Sequence, residues 1–186
     1  MKRLFLLRHA RAAPAGGTDA DFDRALILSG IEDATAMAAY IRKQDYRIDL
    51  VLCSPAARAA QTAALVAREI AAPVEYRDNL YLAPLPRLVA AVRGAPPAVT
   101  NLMIVGHNPG LEECAAALSQ TPLRRSLSHQ DKNWQSKNWP SKNWHGAVDE
   151  RFPTAALAIL DFDAGRWRDV REGAGHLIAF TGPSDL

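Results

Sequence analysis

Cysteine is scarce in this chain, with two residues in 186. Cys53 and Cys114 stand far apart with no CxxC spacing, so they read as reduced core thiols of a cytosolic protein. Long apolar runs are missing too. The longest near the N-terminus is "LFLL", against the ~7–15 residues of a signal-peptide core, and no window approaches the ~20 of a membrane span. A large charge of either sign is absent: the formal net charge is +2, too small to argue for a nucleic-acid or membrane surface. The P-loop, GxGxxG and HExxH patterns do not occur. The cysteine-phosphatase loop fails on spacing, because four residues separate Cys53 from Arg58 where that loop needs five.

What is present suits one domain, residues 1–186, with an ordinary 48% hydrophobic and 23% charged residues. Strand-like runs fall at Arg3–Leu7, Leu50–Cys53, Val74–Tyr76, Leu102–Val105, Ala155–Asp161, Asp169–Arg171 and His176–Phe180. Helical patterns fall at Ile31–Lys43, Pro55–Ile70, Pro86–Arg93 and Pro109–Leu118. Strand and helix alternate until the last third, where strand follows strand. This order predicts an α/β fold with a largely parallel central sheet and an antiparallel edge. Three helix starts are expected: a capping box of Ser29 and Glu32, a cap at Ser54 with Pro55 next, and a cap at Asn108 with Pro109 next.

The opening stretch "KRLFLLRHARAA" ends its apolar strand in Arg8 and His9. Arg58 falls in the first turn of the helix after the second strand, and His107 ends "LMIVGH". With these strands parallel, all four side chains emerge at one carboxyl edge, where such sheets bind ligands. Two guanidiniums, two imidazoles and helix N-termini suit a doubly charged phosphoryl group. An imidazole nitrogen is a competent nucleophile toward phosphorus, and the remaining donors can hold its oxygens without a metal or a cofactor.

Five stretches, "LLRHARA", "DFDRALILSG", "LCSPAARAAQTA", "VGHNPGLEE" and "FPTAALAILDFD", together resemble the histidine phosphatase superfamily, and within it the small SixA-type phosphohistidine phosphatases. The match is colinear from Met1 to about Gln120 and resumes at Phe152. The resemblance implies a three-layer α/β/α sandwich of the phosphoglycerate-mutase-like kind. It implies a phosphohistidine intermediate on His9, phosphate held by Arg8, Arg58 and His107, and Arg24 of "DRAL" near the pocket. Ala10 stands where the wider superfamily often has glycine, and a methyl group there is tolerable. Leu82 of "LYLAP" stands where many relatives carry the acid that protonates a leaving alkoxide. Imidazole departs from phosphohistidine with less help, so this loss favours a phosphoramidate substrate. It equally permits a weak enzyme. Asp19, Asp21 or Asp23 are alternative carboxylates beside Arg24.

Three readings follow. The first is a metal-independent phosphatase of a phosphorylated protein, a phosphotransfer domain or a phosphocarrier. The second is a phosphomonoesterase of a small phosphorylated metabolite. The third is a weak phosphoryl-binding or partner-docking module. The match is interrupted at about 121–151 by an atypical insert, in which "QDKNWQSKNWPSKNW" holds three of the four tryptophans at a five-residue period that fits neither helix nor strand. It reads either as a surface expansion or as an aromatic contact loop. His129 and His145 flank the repeats without a spacing that supports a metal site.

Overall fold

The computed structural model describes residues 1–16, 20–120 and 152–186. The Trp-rich insert and Asp19 lie outside the described residues. Strands β1 (Lys2–Arg8), β2 (Leu50–Cys53), β3 (Val74–Tyr76), β4 (Asn101–Gly106), β5 (Leu157–Phe162) and β6 (His176–Thr181) form one sheet in the order β3-β2-β4-β1-β5-β6. The first four are parallel; β5 and β6 are antiparallel. This is the mixed α/β sandwich expected, antiparallel edge included.

Side chains alternate across each strand, and the alternation splits the core into two layers. Leu4, Leu6, Leu102 and Ile104 face one side, where helices α3 (Leu85–Arg93) and α4 (Gly110–Leu118) cover them with Leu88, Val92 and Leu111. Phe5, Leu7, Met103 and Val105 face the other, covered by α1 (Leu28–Lys43) and α2 (Ala57–Ile70) through Met37, Ile41, Ala63 and Val66. The buried positions of α1, Gly30, Ala34, Met37, Ala38 and Ile41, follow a helical period, which is why this segment coils and docks. β1 lies between β4 and β5, so the strand that ends in Arg8 is central. At its other end Lys2 is buried, with Nζ donating to the carbonyls of Pro97 (2.9 Å) and Val99 (2.6 Å) over the ring of Trp167. No helix among the described residues is long and apolar enough to cross a membrane.

Four local expectations change. Asp169–Arg171 is not a strand; a 3-10 turn at Trp167–Asp169 buries Trp167, whose indole donates to Val99 O, while Val170 O accepts from Arg93. Helix α1 begins at Leu28, three residues ahead of the expected Ile31, and takes in Ser29 instead of being capped by it, because Ile27 N–H is docked on the Arg11 carbonyl. Helix α2 begins at Ala57, since the Ser54 hydroxyl is engaged by His107. Helix α4 begins at Gly110, and the Asn108 amide donates to Phe152 O instead of capping.

Candidate active site

The carboxyl ends of β1, β2 and β4 bring His9, Arg58 and His107 together. His9 follows β1, its backbone N–H donating to Gly106 O (3.0 Å) at the end of β4. Its Nδ1 lies 2.8 Å from Ala10 O. A carbonyl can only accept, so Nδ1 carries the proton and the lone pair sits on Nε2. Burial, helped by the positive charges of Arg58, Arg8 and Arg24 and opposed by the Ala10 bond, pushes the imidazole down to about 4. The ring is neutral at physiological pH, the state a nucleophile needs.

His107 faces it at a centroid distance of 5.1 Å. Its Nε2 is 2.7 Å from Ser54 Oγ. Burial first, then the neighbouring His9 and Arg58, push it down to about 3. Arg58 is 2% exposed and anchored at both terminal nitrogens on Asp21, Nη1 on its carbonyl and Nη2 on Oδ2 at 3.0 Å. Among the described residues neither Arg58 Nε nor His107 Nδ1 has a protein partner, although both atoms are buried. Two such atoms beside a neutral imidazole suit an oxyanion. Arg8 Nη1 donates to Phe152 O (2.7 Å), which also accepts from Asn108, so the chain leaving the insert is tied to this edge.

Arg24 stands at the rim, its guanidinium on Asp21 Oδ1 (Nε at 3.0 Å, Nη2 at 2.7 Å) and on Ala13 O. Of the two weighed carboxylates among the described residues, Asp21 and Asp23, Asp21 is bound into this arrangement. Tyr81 Oη donates to its Oδ2 at 2.6 Å. That bond, with those from Arg24 and Arg58, holds the carboxyl well below the usual carboxylate range. Leu82 is 52% exposed and carries a left-handed φ of 44°.

Three participants escaped the sequence reading. Thr62 Oγ1 accepts from Ala10 N–H (3.0 Å) and donates to Arg58 O (2.7 Å), lacing the turn after His9 to helix α2. The sequence reads Ser54 as a cap and gives Tyr81 no role beyond its motif, whereas the structure sets them on His107 and Asp21. The signal for Thr62 was its place one turn after Arg58 on a face of small apolar residues. Among the described residues no group of three His, Cys, Asp or Glu side chains is placed to hold a metal ion.

The model of the histidine phosphatase superfamily (branch 1) matches residues 4–81. An uncharacterized protein of Mycobacterium tuberculosis is 33% identical over 177 residues, 95% of this chain and 99% of the relative. Among solved structures, a provisionally assigned phosphohistidine phosphatase SixA from Nakamurella multipartitia superposes with a TM-score of 0.73 at 31% identity, covering 98% of this chain and 96% of that one. The corresponding SixA of Agrobacterium tumefaciens gives 0.72 at 30% identity, covering 98% of each chain. In fold alone, a protein histidine phosphatase SixA complexed with tungstate gives 0.71 at 22% identity, over 99% of both.

Proposed function

The chain belongs to the histidine phosphatase superfamily, in its SixA type, and on that footing we propose that it hydrolyses phosphohistidine on a protein through a phosphoryl intermediate on His9. The observation that carries this reading is the state of His9: neutral by burial, with Nδ1 tied to Ala10 O and the Nε2 lone pair left for phosphorus. In the first step Nε2 attacks in line, and the bond from phosphorus to the leaving imidazole breaks with its electron pair going to that nitrogen. Arg8, Arg58 and His107 hold the equatorial oxygens, where charge builds. With Ser54 Oγ–H donating to Nε2 of His107, its Nδ1 carries a proton toward the oxyanion. Arg24 steers the phosphoryl group from the rim. Water then attacks phosphorus and His9 departs, releasing inorganic phosphate.

The leaving-group chemistry supports a phosphoramidate over an alkyl ester. Leu82 offers no proton, and Asp21, the carboxyl at the mouth, is ionised and fully engaged. An alkoxide would leave here unprotonated, whereas a phosphohistidine ring that already carries a proton on its other nitrogen leaves as neutral imidazole with no acid from the enzyme. Both cysteines are buried and unpaired, their thiols pushed up to about 12 by burial, which fits a cytoplasmic protein.

The test is phosphate release from a phosphohistidine-bearing protein with EDTA present. The wild type is expected to turn over and to trap a phosphorylated form on rapid quench. His9→Ala is expected to do neither, with a loss of at least about a thousandfold. Equal turnover by His9→Ala would overturn the mechanism. Preference for alkyl phosphates would move the assignment to a metabolite phosphomonoesterase.

A further inference from the structure

Among the described residues, exposed large apolar side chains are not scattered. Apart from the terminal Met1 and Leu186 and Tyr76 at the end of β3, those among the described residues are Phe22, Ile27, Leu28, Ile31 and Leu82. All five belong to the two segments that frame the mouth of the candidate site. Phe22 packs edge-on against Tyr81 (centroids 5.1 Å apart), and Tyr81 in turn packs against His107 (5.6 Å). Leu82 is the next residue. Ile27 is tied through its N–H to the carbonyl of Arg11, two residues past His9, and Ala13 N–H bonds Ala25 O beside it.

Leu28 and Ile31 occupy the first turn of α1, 72% and 42% exposed, while Gly30 and Ala34 of the same helix are buried beneath them. A helix needs no leucine and isoleucine on its solvent side, and solitary surface apolar residues are common only when dispersed. Here they belong to the segments that also carry Asp21, Arg24 and Tyr81, beside a cationic centre completed by Arg8 and Arg58. Leu82 adds a second anomaly. A non-glycine residue in the left-handed region is strained, and this one holds an apolar side chain outward.

We propose that Phe22, Ile27, Leu28, Ile31 and Leu82 form the docking rim for a folded phosphoprotein whose phosphorylated histidine projects from an apolar surface. The inference rests on the phosphohistidine reading above and names the kind of partner that reading needs. Charge complementarity selects this occupant. A dianion projecting from an apolar protein face matches a cationic pocket inside an apolar ring, in which the rim excludes water and the centre holds the phosphoryl group. A small polar phosphate ester would meet the centre and leave the rim wet.

The test compares wild type with the double variant Leu28→Gln/Ile31→Gln. Both positions are exposed and apart from the proposed chemistry, and glutamine keeps helix propensity and adds no charge. The substrates are phosphoimidazole and two proteins phosphorylated with phosphoramidate, a histidine phosphotransfer domain and a phosphocarrier. The wild type is expected to show at least about tenfold higher kcat/KM on one of the proteins than on phosphoimidazole. The double variant is expected to lose about tenfold on that protein, chiefly through KM, and to stay within about twofold on phosphoimidazole. Equal wild-type kcat/KM on protein and phosphoimidazole would overturn the proposal, as would unchanged protein turnover in the variant. If sedimentation shows the variant losing a dimer while protein turnover holds, the rim belongs to a second copy and the proposal falls. Failure of the wild type on every phosphoramidate would instead overturn the parent reading and take the rim's assignment with it.

Discussion

At the scale of single residues, the two facing imidazoles set how this protein answers to acid. An unfolded histidine binds a proton near pH 6.5. In the native protein burial holds His9 neutral down to about 4 and His107 to about 3. The unfolded chain therefore binds more protons below 6.5, and the stability that these residues allow above 6.5 is lost as pH falls from 6.5 toward 4. The same depression keeps His9 neutral, as the role proposed for it requires. Nitrogen-resolved NMR of histidine-labelled protein is expected to show both rings neutral at pH 5. Melting temperature should fall between pH 6.5 and 5, and by less in His107→Asn. Titration of both rings near 6.5 would refute this. Asp21 has a different part in the same cluster. Its carboxylate neutralises the buried Arg58 and so keeps a nearly inaccessible guanidinium from standing as an unpaired charge.

At the scale of elements, the geometry of the site depends on how strands hand over to helices. Thr62 joins the turn after β1 to the first turn of α2 through one hydroxyl that both accepts and donates. Thr62→Val keeps the volume but leaves Ala10 N–H buried without an acceptor. It is expected to cost about 1–3 kcal/mol in a thermal melt and to lower turnover, while Thr62→Ser keeps most of both. Equal melts and turnover for the two variants would deny the hydroxyl this role. Such handovers are also where sequence and structure part company. Period and apolar runs locate six of the seven proposed strands, five of them to within a residue at each end, since the central strands, buried on both faces, leave a plain signature. Asp169–Arg171 misled because Val170 is buried by a turn, with its carbonyl taken by Arg93. The positions of His9, Arg58 and His107 at one edge were legible because a parallel sheet places all its strand ends together. The hydroxyls of Ser54 and Thr62 and the phenol of Tyr81 were not. Ser54 has the same local sequence as a helix cap, and only tertiary approach turns it toward His107.

At the scale of the whole molecule, the order of strands in the sheet differs from their order in the chain. β1 is flanked by β4, a hundred residues on, and by β5, whose Leu157–Phe162 pair with Lys2–Leu7. A chain ending at Ala156 would leave one side of β1 unpaired and strip Trp167 from the core. It is expected to show neither a cooperative melt nor phosphate release, and a folded, active fragment would contradict this account of the sheet. The central place of β1 also bears on how each copy comes into being. Arg8 and His9 are made long before the rest of their sheet, and their strand finds its last neighbour only once Phe162 is made. At ~5–20 residues per second that wait is on the order of ten seconds or more. Throughout it the nascent chain carries His9 without the strands that complete its sheet, so an interrupted translation product would lack the phosphoryl site proposed for a finished one.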